Sequence, residues 1–341
     1  MSHRIDTEMT RVAQLLWPEP QQVEAVAGGM FNRVLKVESA AGTHYLKRFT
    51  ESASSGDFPP LPTRAAQRCL VACSWHDLAQ RACSGVGRMA LTGSAARDPA
   101  VPQRPLPQVQ VPALLAIQSE LDLVAMEAVP GAPLQQQLLQ ADDDAAAARA
   151  TLKSLVRWLA VLHTLPLEPR GPLLAASRPF KAYKVDLQYA RLITELPPRV
   201  HAGALQFIRD YLADESDPVH GDLNSRNVLV DDNSLSVIDF EQGHFGAGIY
   251  DLAYLVSEYA IQALNARNDP RSVAALAWDH YGSARRLADP MAQLRRFQVH
   301  LGFQVLYRLV GPSRAAWTGH LDDTTAQRVR HWSLTTLEAL L

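Results

Sequence analysis

Cysteine is scarce: three in 341 residues, Cys69, Cys73 and Cys83. So sparse and odd a set provides no disulfide framework and fits a reducing compartment. Cys69, Cys73 and His76 have the spacing of one helix face, and Cys83 could complete four zinc ligands. Small residues packing a helix is the expected use of these cysteines. Long apolar runs are missing as well. The best, Leu155 to Leu162, is interrupted by Arg157 and falls far short of the ~18–20 residues that cross a bilayer, so no membrane span is expected. Met1 to Thr10 carries Arg4, Asp6 and Glu8 without an apolar centre, so no export signal is expected and the location reads as cytoplasmic. Nor does charge of one sign dominate. Lys+Arg number 33 and Asp+Glu 35, a formal net charge of −2, which argues against a surface built to bind nucleic acid.

What is present is an ordinary globular composition, 47% hydrophobic and 20% charged, in a chain long enough for two lobes. Residues 5–17 have the pattern of a short amphipathic helix ended by Pro18 and Pro20. Strand-like runs follow at Gln22–Ala27, Val34–Glu38 and His44–Phe49, separated by Gly28-Gly29 and Ala41-Gly42, which predicts an antiparallel meander. A helix is expected over 63–83. The Gly/Pro-rich stretch 84–110 reads as a long insertion, with Pro99, Pro102, Pro105, Pro107 and Pro112 in or just beyond it. Two more strands are expected at 111–117 and 121–127. The break at Val129-Pro130-Gly131-Ala132-Pro133 marks a lobe boundary, giving 1–128 and 129–341. Beyond it the pattern is mainly helical, with helices expected over 145–165, 180–195, 200–213, 251–266, 271–287, 289–310 and 324–340. Strands first and helices afterwards make the fold class α+β in two lobes.

The most informative segment runs from Pro218-Val-His220-Gly-Asp222 through Asn227 to Ile238-Asp239-Phe240-Glu241. Val228–Val230 and Leu235–Ile238 are short β-rich runs flanking Asp231-Asp232-Asn233-Ser234, a strong turn signal, and so predict a hairpin. Asn227 and Asp239 each lie six positions from Asn233, which brings them together at the hairpin's open end. An amide oxygen beside a carboxylate is a hard oxygen site suited to Mg²⁺. Asp222, five residues before Asn227, can face the same spot. One of the three can then receive a hydroxyl proton while the other two hold metal. Arg226 could offset charge that builds in a transition state there.

In this combination the chain resembles the aminoglycoside phosphotransferase/choline kinase family, relatives of the protein kinases. His220-Gly-Asp222 with Asn227 and Ile238-Asp239-Phe240-Glu241 carry the resemblance. Tyr250-Asp251-Leu252-Ala253, Trp158 to Pro166 with His163, and Met126 to Leu134 extend it in family order. The resemblance implies a bilobal protein-kinase-like fold, with a small N-terminal sheet lobe that binds nucleotide and a larger helical lobe that binds acceptor. It also implies ATP and Mg²⁺ as cofactors and a small-molecule hydroxyl acceptor. By the same resemblance, Asp222 is the catalytic base and Asn227 and Asp239 hold Mg²⁺; Arg226, placed near the transferred phosphoryl group, departs from the small residue most relatives have there. His220 and Asp251 brace the catalytic loop. Gly28, Gly29 and Asn32 belong to a loop over the phosphates, Lys47 contacts the α/β-phosphates, and adenine meets the backbone from Glu127 to Val129.

One departure stands out. The family pairs its strand lysine with a glutamate on the next helix, and 63–83 contains no glutamate. Gln67 or Asp77 are the substitutes within reach, Glu51 lying too close to Lys47 along the chain. The gap keeps open a nucleotide-binding module with weak or no catalysis. A protein-directed kinase is disfavoured, because Asp251 follows Glu241 by only ten positions and leaves no room for a long activation segment. Residues 252–341 hold seven Asp/Glu and ten Lys/Arg, a positive surplus that disfavours a polycationic acceptor.

Overall fold

The computed structural model describes residues 7–26, 31–51, 58–92, 106–140, 145–285 and 287–341. Helix α1 (Thr7–Leu16) leads into strands β1 (Gln22–Ala25), β2 (Asn32–Ser39) and β3 (Gly42–Phe49). These pair as the expected antiparallel meander, in register from Gln22↔Glu38 to Ala25↔Leu35 and from Asn32↔Phe49 to Ser39↔Gly42. Strands β5 (Leu114–Gln118) and β6 (Leu123–Glu127) complete a sheet of order β1-β2-β3-β6-β5. Alternation along the strands sorts its two faces. Leu35, Val37, Leu46, Leu123 and Ala125 pack beneath Met9, Val12 and Ala13 of α1. Tyr45, Lys47 and Phe49 lie on the opposite face, which lines a cavity. A one-residue slip of β3 would put the Lys47 ammonium into the apolar layer, so the burial pattern itself fixes where that charge goes.

Before the lobe boundary, two elements depart from the sequence expectation. Helix α2 runs over Ala65–Thr92, nine residues past the expected end; Ser84-Gly85 and Gly87 weaken a helix without ending it, since tertiary packing overrides local propensity. Strand β4 (Gln108–Gln110) was not foreseen because a single alternation over three residues, Gln-Val-Gln, is too short to read as a strand. The rest of the expected insertion, 93–105, lies outside the described residues.

The segment after β6 crosses to the helical part through β7 (Ala132–Pro133) and α3 (Leu134–Leu139). Gly131 sits at φ +113°, and a Cβ there would press on the Val230 carbonyl at 2.6 Å, so only glycine lets this connection lie against the neighbouring backbone. The following helices are α4 (Ala145–Leu162), α5 (Arg170–Gln188) and α6 (His201–Ala213). Helix α5 corrects the expected 180–195. It begins ten residues earlier and runs through Pro179, although an interior proline forfeits one backbone bond. The buried face holding Leu173, Ala176, Phe180 and Lys184 carries it across the break.

Short strands β8 (Asp217–Val219) and β11 (His244–Gly246) pair with each other and enclose β9 (Val228–Asp231) and β10 (Ser234–Val237) in the sequence. Helices α7 (Ile249–Asn265), α8 (Pro270–Ala284), α9 (Pro290–Val310), α10 (Arg314–Thr318) and α11 (Asp323–Leu340) follow. Three of these starts, of α8, α9 and α11, have legible caps: Asp269, Asp289 and Asp322 each accept a backbone N–H of the first turn, with Pro270 and Pro290 opening two of them. Helix α7 is buried on nearly every side, packed by α4, α8 and α9. It forms the centre of the main core with Trp75, Trp158 and Phe303. No described helix is long and apolar enough to cross a membrane.

Candidate active site

Strands β9 and β10 form the predicted hairpin, paired from Ser234↔Asp231 to Val237↔Val228. The turn therefore centres half a residue before Asn233. Asn227 lies opposite Ile238, whose N–H it accepts at 3.0 Å, and Asp239 lies one residue further on. Asp239 adopts a left-handed backbone at φ +67°, a conformation non-glycine residues rarely hold. At β4 the hairpin gains a parallel partner, Gln108 to Gln110 pairing with Ser234 to Ser236. The hairpin is thus clamped by a strand from the N-terminal side of the expected lobe boundary.

The loop before the hairpin is held by one buried carboxylate. Asp251 accepts the N–H of His220 at 2.6 Å and of Gly221 at 2.9 Å, and meets His163 Nε2 at 3.2 Å. His220 receives the Asp222 N–H on Nδ1 and reaches the Ile238 carbonyl through Nε2. One ring nitrogen accepting and one donating is a neutral imidazole. Burial pushes the His220 pKa down in the same sense, against the pull of Asp251. Gly221 is left-handed at φ +80°, and a Cβ on it would collide with the Gln242 carbonyl. Bracing by His220 and Asp251 agrees with the expectation.

Asp222 is enclosed by donors. Oδ1 accepts from Lys184 Nζ at 2.8 Å and the Tyr254 hydroxyl at 3.0 Å; Oδ2 accepts from Asn227 Nδ2 at 3.1 Å and Gln242 Nε2 at 3.2 Å. Because the Asn227 amide nitrogen turns to Asp222, its amide oxygen points elsewhere and takes no hydrogen bond from a described residue. Lys184 also donates to the Gly221 carbonyl at 2.7 Å. Burial lowers its pKa, with Asp222 opposing the shift. Nothing in the spacing of α5 indicates that Lys184 meets Asp222.

At the other end, Lys47 Nζ lies 2.5 Å from Asp239 Oδ1 and 3.6 Å from Glu241 Oε2. Burial alone would lower the Lys47 pKa, but these two carboxylates raise it, while Lys47 in turn holds Asp239 below the usual carboxylate range against its own burial. Glu241 is pushed up by burial. Asn32 donates both to Glu241 Oε1 at 2.9 Å and to Oε2 at 2.8 Å, and Arg68 Nε stands 3.8 Å from Oε2. This corrects the search for a replacement glutamate. Gln67 accepts the Arg64 N–H, Glu51 accepts the Ala65 N–H, and Asp77 pairs with Arg81; none of them meets Lys47. The second carboxylate comes from Glu241, and α2 presents a cation, Arg68, where an anion was expected. Its signal was in view as the residue two after Asp239.

Lys47, Asp222, Asn227, Asp239 and Arg226 all line one cavity of about 630 Å³, as do Asn32, Glu127 and Val129. Glu127 is already tied to Ala113 through its N–H at 3.0 Å and its carboxylate at 2.9 Å. Val129 is therefore the better placed of the two expected adenine contacts to offer an N–H. Arg226 is exposed, its guanidinium 5.9 Å from the Trp317 ring centre. Gly28 and Gly29 lie outside the described residues. The cysteines take the packing role: Cys69 is buried in a small apolar cluster under β3, and His76 is bound to the Pro112 carbonyl at 2.6 Å.

Comparison with known proteins agrees with this geometry. Residues 95–291, more than half of the chain, match the model of the APH phosphotransferase enzyme family. No curated protein matches the sequence. Among solved structures, a protein of Ralstonia eutropha JMP134 assigned as an aminoglycoside phosphotransferase is 17% identical, with 98% of each chain covered and a TM-score of 0.53. The choline kinase of Cryptosporidium parvum Iowa II is 12% identical over 98% of this chain and 96% of its own, with a TM-score of 0.51. The ethanolamine kinase of Plasmodium vivax is 12% identical over 94% and 84%, also at 0.51. At such identities the likeness is one of fold, and it agrees with the bilobal kinase-like architecture expected from the sequence.

Proposed function

Because the chain belongs to the phosphotransferase enzyme family, we propose that it transfers the γ-phosphoryl group of ATP to a hydroxyl of a small molecule, with Mg²⁺ as cofactor. The observation that carries this reading is the arrangement around Asp222. Four donors fix its carboxylate at the wall of a cavity shared with Asn227, Asp239 and Lys47. The donor set fits a magnesium ion: the Asn227 amide oxygen and Asp239 Oδ2 are hard oxygens that accept no hydrogen bond from described residues. When bound, the ion would neutralise phosphate charge. Asn32 and Lys47 address the phosphates, with Gly28 and Gly29 contributing backbone N–H groups, and adenine lies against Glu127 to Val129. Asp222 orients the acceptor hydroxyl and takes its proton as the new bond forms. The hydroxyl displaces one of the weaker donors, Gln242 or Asn227, to reach Oδ2. Arg226 faces the phosphoryl group as it arrives on the acceptor. The missing helix glutamate, the motive for a non-catalytic reading, is offset by Glu241. The lobe division at 128/129 gives nucleotide and acceptor separate sides of one cleft.

The test is ADP release from Mg-ATP across a panel of hydroxyl acceptors, with Asp222→Asn as control. Acceptor-dependent release should fall by roughly 10²- to 10⁴-fold in the variant, with ATP affinity retained. Release that persists in Asp222→Asn, or a variant that loses ATP binding as well, rejects the assignment.

A further inference from the structure

The acceptor end of the cavity is aromatic and carries an unmatched positive charge. Its floor is formed by Phe180 and Tyr183 of α5, Tyr254 of α7, Tyr307 of α9 and Trp317 of α10. Phe31 and Phe58, edge to face at 6.4 Å, line the same cavity. An aromatic pocket of this kind could hold an ammonium group through ring faces. Two of the five faces, those of Tyr254 and Trp317, are already taken by the chain's own cations. Tyr254 has Arg308 at 4.3 Å and Lys184 at 5.0 Å from its ring centre. Trp317 has Arg308 at 5.1 Å and Arg226 at 5.9 Å. An ammonium approaching either ring meets the buried Arg308 guanidinium, where repulsion is screened less than in water.

The charges do not cancel at this end. Lys184 is matched by Asp222 and Arg308 by Glu258. Arg226 lines the same cavity, and no described carboxylate pairs with it. Of the four carboxylates that line the cavity, Asp239 and Glu241 stand with Lys47, and Glu127 lies on β6. Only Asp222 faces the acceptor. Before transfer the phosphoryl group lies at the Lys47 end, which leaves the Arg226 guanidinium free to pair with an anion carried by the acceptor. We propose, building on the phosphotransferase reading, that the acceptor is an anionic hydroxy compound with a flat or apolar body. Its anionic group pairs with Arg226 and its body lies against Trp317 and the tyrosines.

Three probes on one scaffold test this: para-(hydroxymethyl)benzoate, para-methylbenzyl alcohol and para-(hydroxymethyl)benzylammonium. Binding is measured by calorimetry to the full chain preloaded with Mg²⁺ and a non-hydrolysable ATP analogue. The benzoate should bind about tenfold or more tighter than the ammonium probe, the worth of one charge-assisted hydrogen bond, with the neutral alcohol between them. Arg226→Gln should bring the benzoate down to the level of the neutral alcohol and move the alcohol by less than about twofold. Preference for the ammonium probe, no binding by any of the three, or a benzoate preference that survives Arg226→Gln overturns the proposal. ADP release with Mg-ATP, followed in parallel, separates the two readings. Charge preference without turnover sinks the phosphotransferase, whereas turnover with ammonium preference sinks only the anionic acceptor.

Discussion

The two ends of the cavity solve opposite problems with different building material. At the donor end, two cations, Lys47 and Arg68, and two carboxylates, Asp239 and Glu241, converge from β3, α2 and the hairpin exit, and they balance. At the acceptor end, Lys184, Arg226 and the buried Arg308 answer only Asp222 and Glu258, and one positive charge is left over. A balanced cluster holds a shape until a charged cofactor rearranges it. An unbalanced one selects its ligand by sign. Under the proposed function the machinery and the specificity are largely separable, with Asp222, Asn227 and Arg226 the side chains that serve both.

The sharpest way to break the donor end is Glu241→Gln. The substitution keeps the shape and the contact to Asn32 but leaves buried Arg68 without a carboxylate and Lys47 with only one. Breaking a buried pair from one side is far costlier than removing both charges. The unfolding free energy should drop by about 3 kcal/mol, read by urea denaturation, and Arg68→Met in the same chain should recover part of it. If the double variant is less stable than the single one, Arg68 is held by the Thr50 and Thr63 carbonyls and not by Glu241, and the balance is accidental.

This end was also the more legible in the sequence, for a physical reason. Lys47, Asn227 and Asp239 sit on strands or at strand ends, where a period of two and a short turn determine which residues meet. Miscounting the hairpin by half a residue left Asn227 and Asp239 in the same corner. Glu241 was missed as a partner because the expectation came from a helix glutamate, and no local pattern says that the charge can be supplied from the opposite lobe. The acceptor end is assembled from α5, α7, α9 and α10, with contacts spanning 32 residues for Tyr254 to Asp222 and 38 for Lys184 to Asp222. Helix packing angles and the passage of α5 through Pro179 set those contacts, and neither is written in a spacing. The surplus of basic residues over 252–341 does not account for the charge at this end, since Lys184 and Arg226 lie outside that range.

Lys184→Met tests the acceptor end in the same way with a smaller effect. It removes one donor from Asp222 Oδ1 and leaves Tyr254, Asn227 and Gln242 in place. The turnover number should fall about tenfold, as expected for loosening one charge-assisted contact, and ATP affinity should stay within about twofold. Single-turnover measurements on the folded fraction distinguish this from a loss of stability. An unchanged rate would mean that the remaining three donors hold Asp222 unaided. Loss of ATP affinity would mean that the two ends are not separable after all.

Lys181, three residues before Lys184 on α5, provides the smallest and most specific check, because it is buried outside the cavity. Its ammonium donates to the Leu212 carbonyl at 3.2 Å and to that of Asp214, and it lies 4.9 Å from the Tyr211 ring centre. Burial pushes its pKa down to about 8 from the usual 10.5, with Asp214 opposing the shift. Below pH 8 the group is charged in both folded and unfolded chains, so the burial penalty on the folded state is fully present. Between about 8 and 10.5 the folded chain has lost the proton while the unfolded chain keeps it. The unfolded state then binds more protons, and stability rises with pH across that window. Denaturation curves collected through the window should show this rise, and subtracting those of Lys181→Met should isolate it from the other lysines. Turnover in Lys181→Met should match that of the parent chain, since the residue touches neither Asp222 nor the cavity lining. Parallel stability curves would mean that Lys181 is solvated in the folded chain. A loss of turnover would extend the acceptor end a full turn along α5, beyond the residues that line it.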